Sequence, residues 1–165
     1  MHHLRLHSPQ LRPRSVLRRD SGAALVEFAL VLPILLLLVF GALDLGKAYN
    51  YWIDETQLAH EGARYAAVNK NPDPNEPNFL AAIRKQADTD ELRDGNTGSV
   101  PDPLQVCVYL PDGPEIGNRV RVEVTSTYHF MSFIAGKVNL LQKPVVADST
   151  MRLERTPSFG DGDCA

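Results

Sequence analysis

Gly22-Ala-Ala-Leu-Val-Glu27-Phe28-Ala-Leu-Val-Leu-Pro33-Ile-Leu-Leu-Leu-Leu-Val-Phe-Gly41-Ala-Leu43 is an apolar run carrying one carboxylate near its start and a glycine five residues before that carboxylate. From Phe28 to Leu43 no residue is charged, and back to Ala23 only Glu27 interrupts the run. As a helix rising about 1.5 Å per residue, Ala23–Leu43 is roughly 31 Å long, which matches a hydrocarbon core of roughly 30 Å. The segment therefore reads as one transmembrane helix, and no second apolar run approaches that length. An ionisable group inside such a span is costly and marks function by default.

The flanks set an orientation. Before Gly22 stand Arg5, Arg12, Arg14, Arg18 and Arg19 against the single acid Asp20. Beyond Leu43 there are 12 Lys and Arg against 18 Asp and Glu, an excess of six acids. Basic flanks stay in the cytoplasm, so the acidic part is expected outside it. The arginine cluster is thus a topology signal, and no nucleic-acid partner is expected. Residues 1–22 read as a polar leader that is removed or unstructured.

Helical spacing continues past the span through Leu45, Ala48, Tyr49, Trp52, Ile53, Thr56, Ala59, Ala63, Ala66 and Ala67, with Gln57, Glu61 and Arg64 on other faces. No proline intervenes between Pro33 and Pro72. Ala23–Val68 is therefore expected as one helix of about 69 Å, its first half in lipid. Pro33 favours a kink. Tyr49, Tyr51 and Trp52 sit where an interfacial aromatic belt is expected, and Asp44 closes the apolar run as a solvated residue. The prolines and asparagines of Asn69–Asn78 end the helix.

A second, smaller part follows over residues 69–165. Phe79–Ala87 has Leu80, Ile83 and Ala87 on one helical side, and Asp88–Pro103 reads as polar and turn-rich. Alternation predicts strands at Leu104–Leu110, Arg119–Tyr128 and Val145–Arg155. Strands with one apolar and one polar face suit an antiparallel sheet covered on one side. Ala59, Ala63 and Ala66 offer the cover, because small residues allow close approach. The fold class is therefore α+β: a long N-terminal helix, its first half transmembrane, packed on a small antiparallel sheet.

Cys107 and Cys164 permit one intramolecular pairing, which an oxidising compartment would favour; the alternative is a buried Cys107 and a solvated Cys164. The tail from Pro157 is loose unless Cys164 tethers it. Motifs for chemistry are weak. His60-Glu61-Gly62-Ala63-Arg64 has Arg64 where the helical zinc motif needs a second histidine, so no metal is expected. Asp161 and Asp163 fall short of a calcium loop, and His129, expected at the surface or a sheet edge, has no sequence neighbour to work with. Ser149 and Ser158 lie in no nucleophile motif. No catalytic residue, cofactor or small-molecule substrate is expected.

Gly22-(Ala-Ala-Leu-Val)-Glu27-Phe28, Pro33, the leucine run, Phe40-Gly41, Asp44 and Gly46, followed by Gly62-Ala63-Arg64-Tyr65-Ala66-Ala67, resemble the TadE-like proteins, pseudopilins of the bacterial tight-adherence (Flp) pilus systems. The resemblance covers Gly22–Val68 and implies a pilin-like fold. It also implies that a prepilin peptidase cuts after Gly22, leaving Ala23 as the new N-terminus with Glu27 fifth in the mature chain. Glu27, with Phe28 beside it, would then set subunit register by meeting the Ala23 amine of a neighbouring pilin or pseudopilin. Pairing with Ala23 of its own chain, one turn away, competes, and so does a carboxylate that reaches the headgroups. Two other readings stay open. One is an uncleaved, single-pass anchor for an outer binding domain; the other is a secreted protein with a signal peptide cut after Ala48.

Overall fold

The computed structural model describes residues 20–130 and 142–165, and side chains from residue 22 onward. The expected leader and the irregular stretch before the third strand fall largely outside the described residues. The chain forms two compact units, one ending at Val39 and the other running Phe40–Ala165.

Helix α1 spans Asp20–Ala67, with Pro33 inside it and not ending it. The missing proline N–H costs one backbone bond, which the otherwise helix-favouring Leu and Ala run tolerates. In the first unit the side chains of residues 22–39 are exposed apart from a half-buried Leu32. α1 has the length and composition needed to cross a membrane, and its apolar window is unburied. So much exposed apolar surface is unusual for a soluble monomer.

The C-terminus of α1 is closed by the chain itself. Asn69 takes a left-handed φ of 46°, Asn69 N–H donates to Ala66 O at 3.1 Å and Lys70 N–H to Tyr65 O at 3.0 Å. This reciprocal pair satisfies carbonyls that the last turn leaves free, and asparagine tolerates the left-handed conformation.

The second unit adds α2 (Phe79–Arg84), α3 (Asp90–Asp94), β1 (Gln105–Tyr109), β2 (Arg119–His129), β3 (Gln142–Arg152) and β4 (Asp163–Cys164). Asn78 caps α2 by accepting from Leu80 N–H and Ala81 N–H. α3 lies in the stretch expected to be irregular. Leu92 is its only buried residue, so five residues carried too little periodicity to read. Gly95 ends α3 at φ 67°, and a Cβ there would lie 2.6 Å from Pro103 N.

The strands form one antiparallel sheet in the order β3-β2-β1-β4. β2 is central, with Val120, Val122, Val124, Ser126 and Tyr128 buried in alternation. His129 therefore lies on a central strand and not at an edge; its N–H donates to Ser99 O at 2.8 Å. β3 begins at Gln142, earlier than alternation suggested, because its first residues pair with the far end of β2 (Gln142 with His129). Ala147, Ser149 and Leu153 are buried, and Met151 is half-buried.

Within this unit α1 covers the buried face of the sheet through Ala59, Gly62, Ala63, Ala66 and Ala67. A Cβ on Gly62 would sit 3.1 Å from Val122 Cγ1 and 3.3 Å from Ile83 Cγ2. Small residues are used where the helix backbone comes closest to β2 and α2.

Candidate functional site

In the first unit, Gly22 and Ala23 lie in the first turns of α1, and a Cβ on Gly22 would meet no atom within 4 Å. Both residues are exposed. Glu27 and Phe28 are both exposed, one turn further along. Ala23 and Glu27 share one helix face at i, i+4 spacing. The carboxylate stands alone among exposed Leu25, Val26, Phe28, Leu30 and Val31.

In the second unit the buried stripe of α1 differs from the aromatic one that the sequence favours. Leu45, Tyr49, Trp52 and Ile53 are exposed, whereas Tyr51, Glu55, Leu58 and Ala59 are buried. Tyr51 thus leaves the expected aromatic belt and packs edge-on against Tyr128 of β2, ring centres 5.5 Å apart. Tyr49 and Trp52 remain side by side at 5.7 Å. Aromatic bulk on both faces of this stretch hid the phase; shape decided it, because only the Gly62 side admits the sheet closely.

Asp44 corrects a second expectation. It is half-buried, and the Tyr128 hydroxyl donates to its Oδ1 at 2.6 Å. Burial, then the Asp44 hydrogen bond and charge, raise the Tyr128 phenol above its ordinary range. Nearby, Lys47 Nζ pairs with Glu91 Oε2 of α3 at 2.8 Å.

Glu55 is the chemically distinctive residue that sequence reading missed. It is fully buried. Ser126 Oγ of β2 donates to its Oε1, while Oε2 and the hydroxyl of Tyr51 have no hydrogen-bond partner among the described residues. Burial pushes the Glu55 carboxyl up to about 8; the Ser126 bond opposes that rise and the Asp54 charge adds to it. Asp54 itself accepts from Asp88 N–H at 3.2 Å and Thr89 N–H at 2.9 Å. The available signal was the i, i+4, i+7, i+11 row Tyr51, Glu55, Leu58, Gly62.

His60 is exposed, and its Nδ1 lies 2.8 Å from Ser149 Oγ of β3. No carboxylate is hydrogen-bonded to His60 among the described contacts. The described residues contain no cluster of three or more potential metal ligands. Cys107 and Cys164 are joined by a disulfide across β1 and β4. That bond tethers the tail, whose Asp161 and Asp163 bind backbone: Leu110 N–H donates to Asp161 Oδ1 and Gly160 N–H to Asp163 Oδ2.

The exposed apolar helix opens with a glycine and a lone carboxylate five residues apart. Residues 22–64 match the TadE-like protein family. The TadE-like segment therefore includes Gly22, Ala23, Glu27, Phe28, the whole apolar run and the helix as far as Arg64. It stops short of the sheet. A TadE-like segment implies membrane association and a role connected with the Tad pilus system. No curated protein and no solved structure matches the chain.

Proposed function

We propose that the chain is a minor pseudopilin or assembly component of a Flp-type tight-adherence pilus. The observation that carries this reading is the TadE-like match beginning at Gly22 and including Glu27. A prepilin peptidase removes the leader after Gly22, and the mature chain, starting at Ala23, stays in the cytoplasmic membrane by a single span. Residues 1–22 lie in the cytoplasm and residues 44–165 outside it. Helix packing, with no reaction catalysed, is its mode of action.

In this reading Glu27 does the specifying. A carboxylate among leucines in lipid is expensive unless a cation meets it, and the new amino group of Ala23 on a neighbouring subunit supplies one. An ion pair at one depth fixes the axial register of side-by-side helices, which van der Waals contact between leucines leaves free. The exposure of Glu27 and Phe28 on α1 agrees with a surface awaiting such neighbours. The partners are then pilin or pseudopilin subunits and the pilus assembly machinery, and the outer domain presents itself beyond the membrane.

The test is the N-terminus of the protein purified from its native membrane, read by mass spectrometry. A start at Ala23 supports the proposal. A start after Ala48 means an ordinary secreted protein, and an intact Met1 means an anchored domain without pilin-type processing.

A further inference from the structure

Two kinds of contact hold α1 to the rest of the second unit. From Ala59 to Ala67 the fastening is one of shape. Ala59, Ala63 and Ala66 are fully buried, a Cβ on Gly62 would stand 3.1 Å from Val122 Cγ1, and Ala67 O accepts from Glu154 N–H at 2.8 Å. From Asp44 to Leu58 polar side chains do much of the fastening. The Tyr128 hydroxyl donates to Asp44 Oδ1 at 2.6 Å, Lys47 Nζ pairs with Glu91 Oε2 at 2.8 Å, and Asp54 accepts from the Asp88 and Thr89 N–H groups. Ser126 Oγ donates to Glu55 Oε1.

Glu55 is the member of this second set that cannot carry its charge where it lies. It is fully buried, and its Oε2 and the Tyr51 hydroxyl, one turn back, have no hydrogen-bond partner among the described residues. The titratable groups around this contact are Asp54 and Tyr51 on α1 and Tyr128 on β2, whose hydroxyl binds Asp44. Towards α3 stand Asp88 and Glu91, the latter already paired with Lys47. The flanking strands bring apolar residues: Val145 of β3 is the register partner of Ser126, and Val106 of β1 that of Val124. No lysine, arginine or histidine pairs with Glu55 among the described residues, and the charge that acts on it is that of Asp54, of its own sign.

A carboxyl so placed is tolerated only as the neutral acid, because a buried carboxylate without a counter-ion is far more costly. Burial accordingly raises it to about 8. Once the proton leaves, the carboxylate gains water only if α1 parts from β2 at this level. The salt bridge of the same stretch resists weakly, since the Lys47 and Glu91 side chains are 41 and 32 % exposed. The Ala59–Ala67 stretch has no ionisable residue among its buried ones and gains nothing by parting.

We propose that Glu55 is the release of a proton-operated latch: while it is protonated α1 lies closed on β2, and on its ionisation Asp44–Leu58 parts from the sheet while Ala59–Ala67 stays fastened. The proton passes to water, and the Ser126–Glu55 and Tyr128–Asp44 hydrogen bonds break. The closed form is favoured in full below about pH 4.5. The open-to-closed ratio then rises about tenfold per pH unit and levels off at about pH 8. Opening uncovers Tyr51, Leu58 and Tyr128, which the closed form buries. The latch belongs to residues 44–165 and works whether or not the chain enters a pilus.

The experiment is hydroxyl-radical footprinting of the full-length chain in detergent between pH 5 and pH 9, with oxidised side chains read by mass spectrometry. Trp52, already exposed, calibrates the dose, and buried Ile83, packed beside Gly62, reports on the shape-fastened stretch. The expected result is that Tyr51 and Tyr128 oxidise faster as pH rises, about tenfold per unit while the closed form predominates, then level off. Ile83 stays protected throughout, and Glu55→Gln shows no rise. No rise in the parent, or a joint rise of Tyr51, Tyr128 and Ile83, overturns the proposal, as does a rise retained in Glu55→Gln. If that variant loses the circular dichroism of the parent, a carbon-13 titration of Glu55 in the parent decides. A midpoint where Tyr51 oxidation levels off supports the latch, and a midpoint elsewhere overturns it.

Discussion

Ser126 Oγ on β2 donates a hydrogen bond to Glu55 Oε1 on α1, deep in the interface where helix meets sheet. One oxygen of that carboxyl is served and the other is not. The contact joins the two elements through a side chain whose charged form is costly to bury, and it makes their association depend on a proton.

The pH dependence follows from the direction of the shift. Glu55 is raised from 4.5 to about 8 in the folded chain, so the folded state holds the proton more tightly than the unfolded one. Its contribution is fully present below about pH 4.5 and falls away as pH rises to about 8. At pH 7 the loss is on the order of 3 kcal/mol. Glu55→Gln keeps the shape and an oxygen for Ser126. It should therefore raise the unfolding temperature at pH 7–8 and flatten the slope between pH 5 and 8. A slope unchanged in the variant would place the titration elsewhere.

Tyr128→Phe removes the donor that Asp44 Oδ1 accepts at 2.6 Å and leaves the ring packing on Tyr51 intact. Its cost should be about 1.5–3 kcal/mol, the scale of a hydrogen bond to a carboxylate. Denaturant unfolding in detergent measures it. Combining it with Asp44→Ala should cost less than the sum of the two, because both remove the same side-chain contact.

Gly62 tests the close approach of helix and sheet. Gly62→Ala gains up to about 1 kcal/mol of helix propensity, against the crowding of Val122 Cγ1 at 3.1 Å, and should come out near neutral. Gly62→Leu has nowhere to go and should destabilise by about 1–3 kcal/mol or more. Thermal melts of the two variants separate backbone preference from volume.

Opening the disulfide releases a tether between residues 57 apart. Loop-closure entropy sets its stabilisation at up to about 4 kcal/mol. Dithiothreitol should lower the unfolding temperature of the parent chain and leave that of Cys107→Ser/Cys164→Ser unchanged.

Glu27→Ala should leave the chain in the membrane, since removing a charge favours insertion, yet abolish its assembly with pilus partners. Fractionation and a piliation count read the two effects separately; normal piliation would remove the register role. A bulky residue in place of Gly22 should block processing and leave the protein at precursor size.

Where one physical constraint dominates, the linear chain was enough to see the outcome. The apolar run is a matter of composition against the thickness of a bilayer, so the long helix was legible, as were the helix stop at Asn69 and the alternation in β2. These readings need no knowledge of which residues meet. The covering role of Ala59, Ala63 and Ala66 was also legible, because only small residues let a helix lie close to a sheet.

Contacts between distant parts of the chain were decided in three dimensions. From Leu45 to Leu58 two helical stripes compete, one through Tyr49 and Trp52 and one through Tyr51 and Glu55. Hydrophobicity favours the first, but α1 can rotate only one way if Gly62 is to face Val122, and that rotation buries the second. Glu55, Asp44 and Tyr128 acquire their chemistry from partners up to 84 residues away. The facing of Cys107 and Cys164 likewise depends on β4 finding the β1 edge. A carboxyl becomes a proton-sensitive element only once it is taken from water, and burial is a property of the assembled helix and sheet.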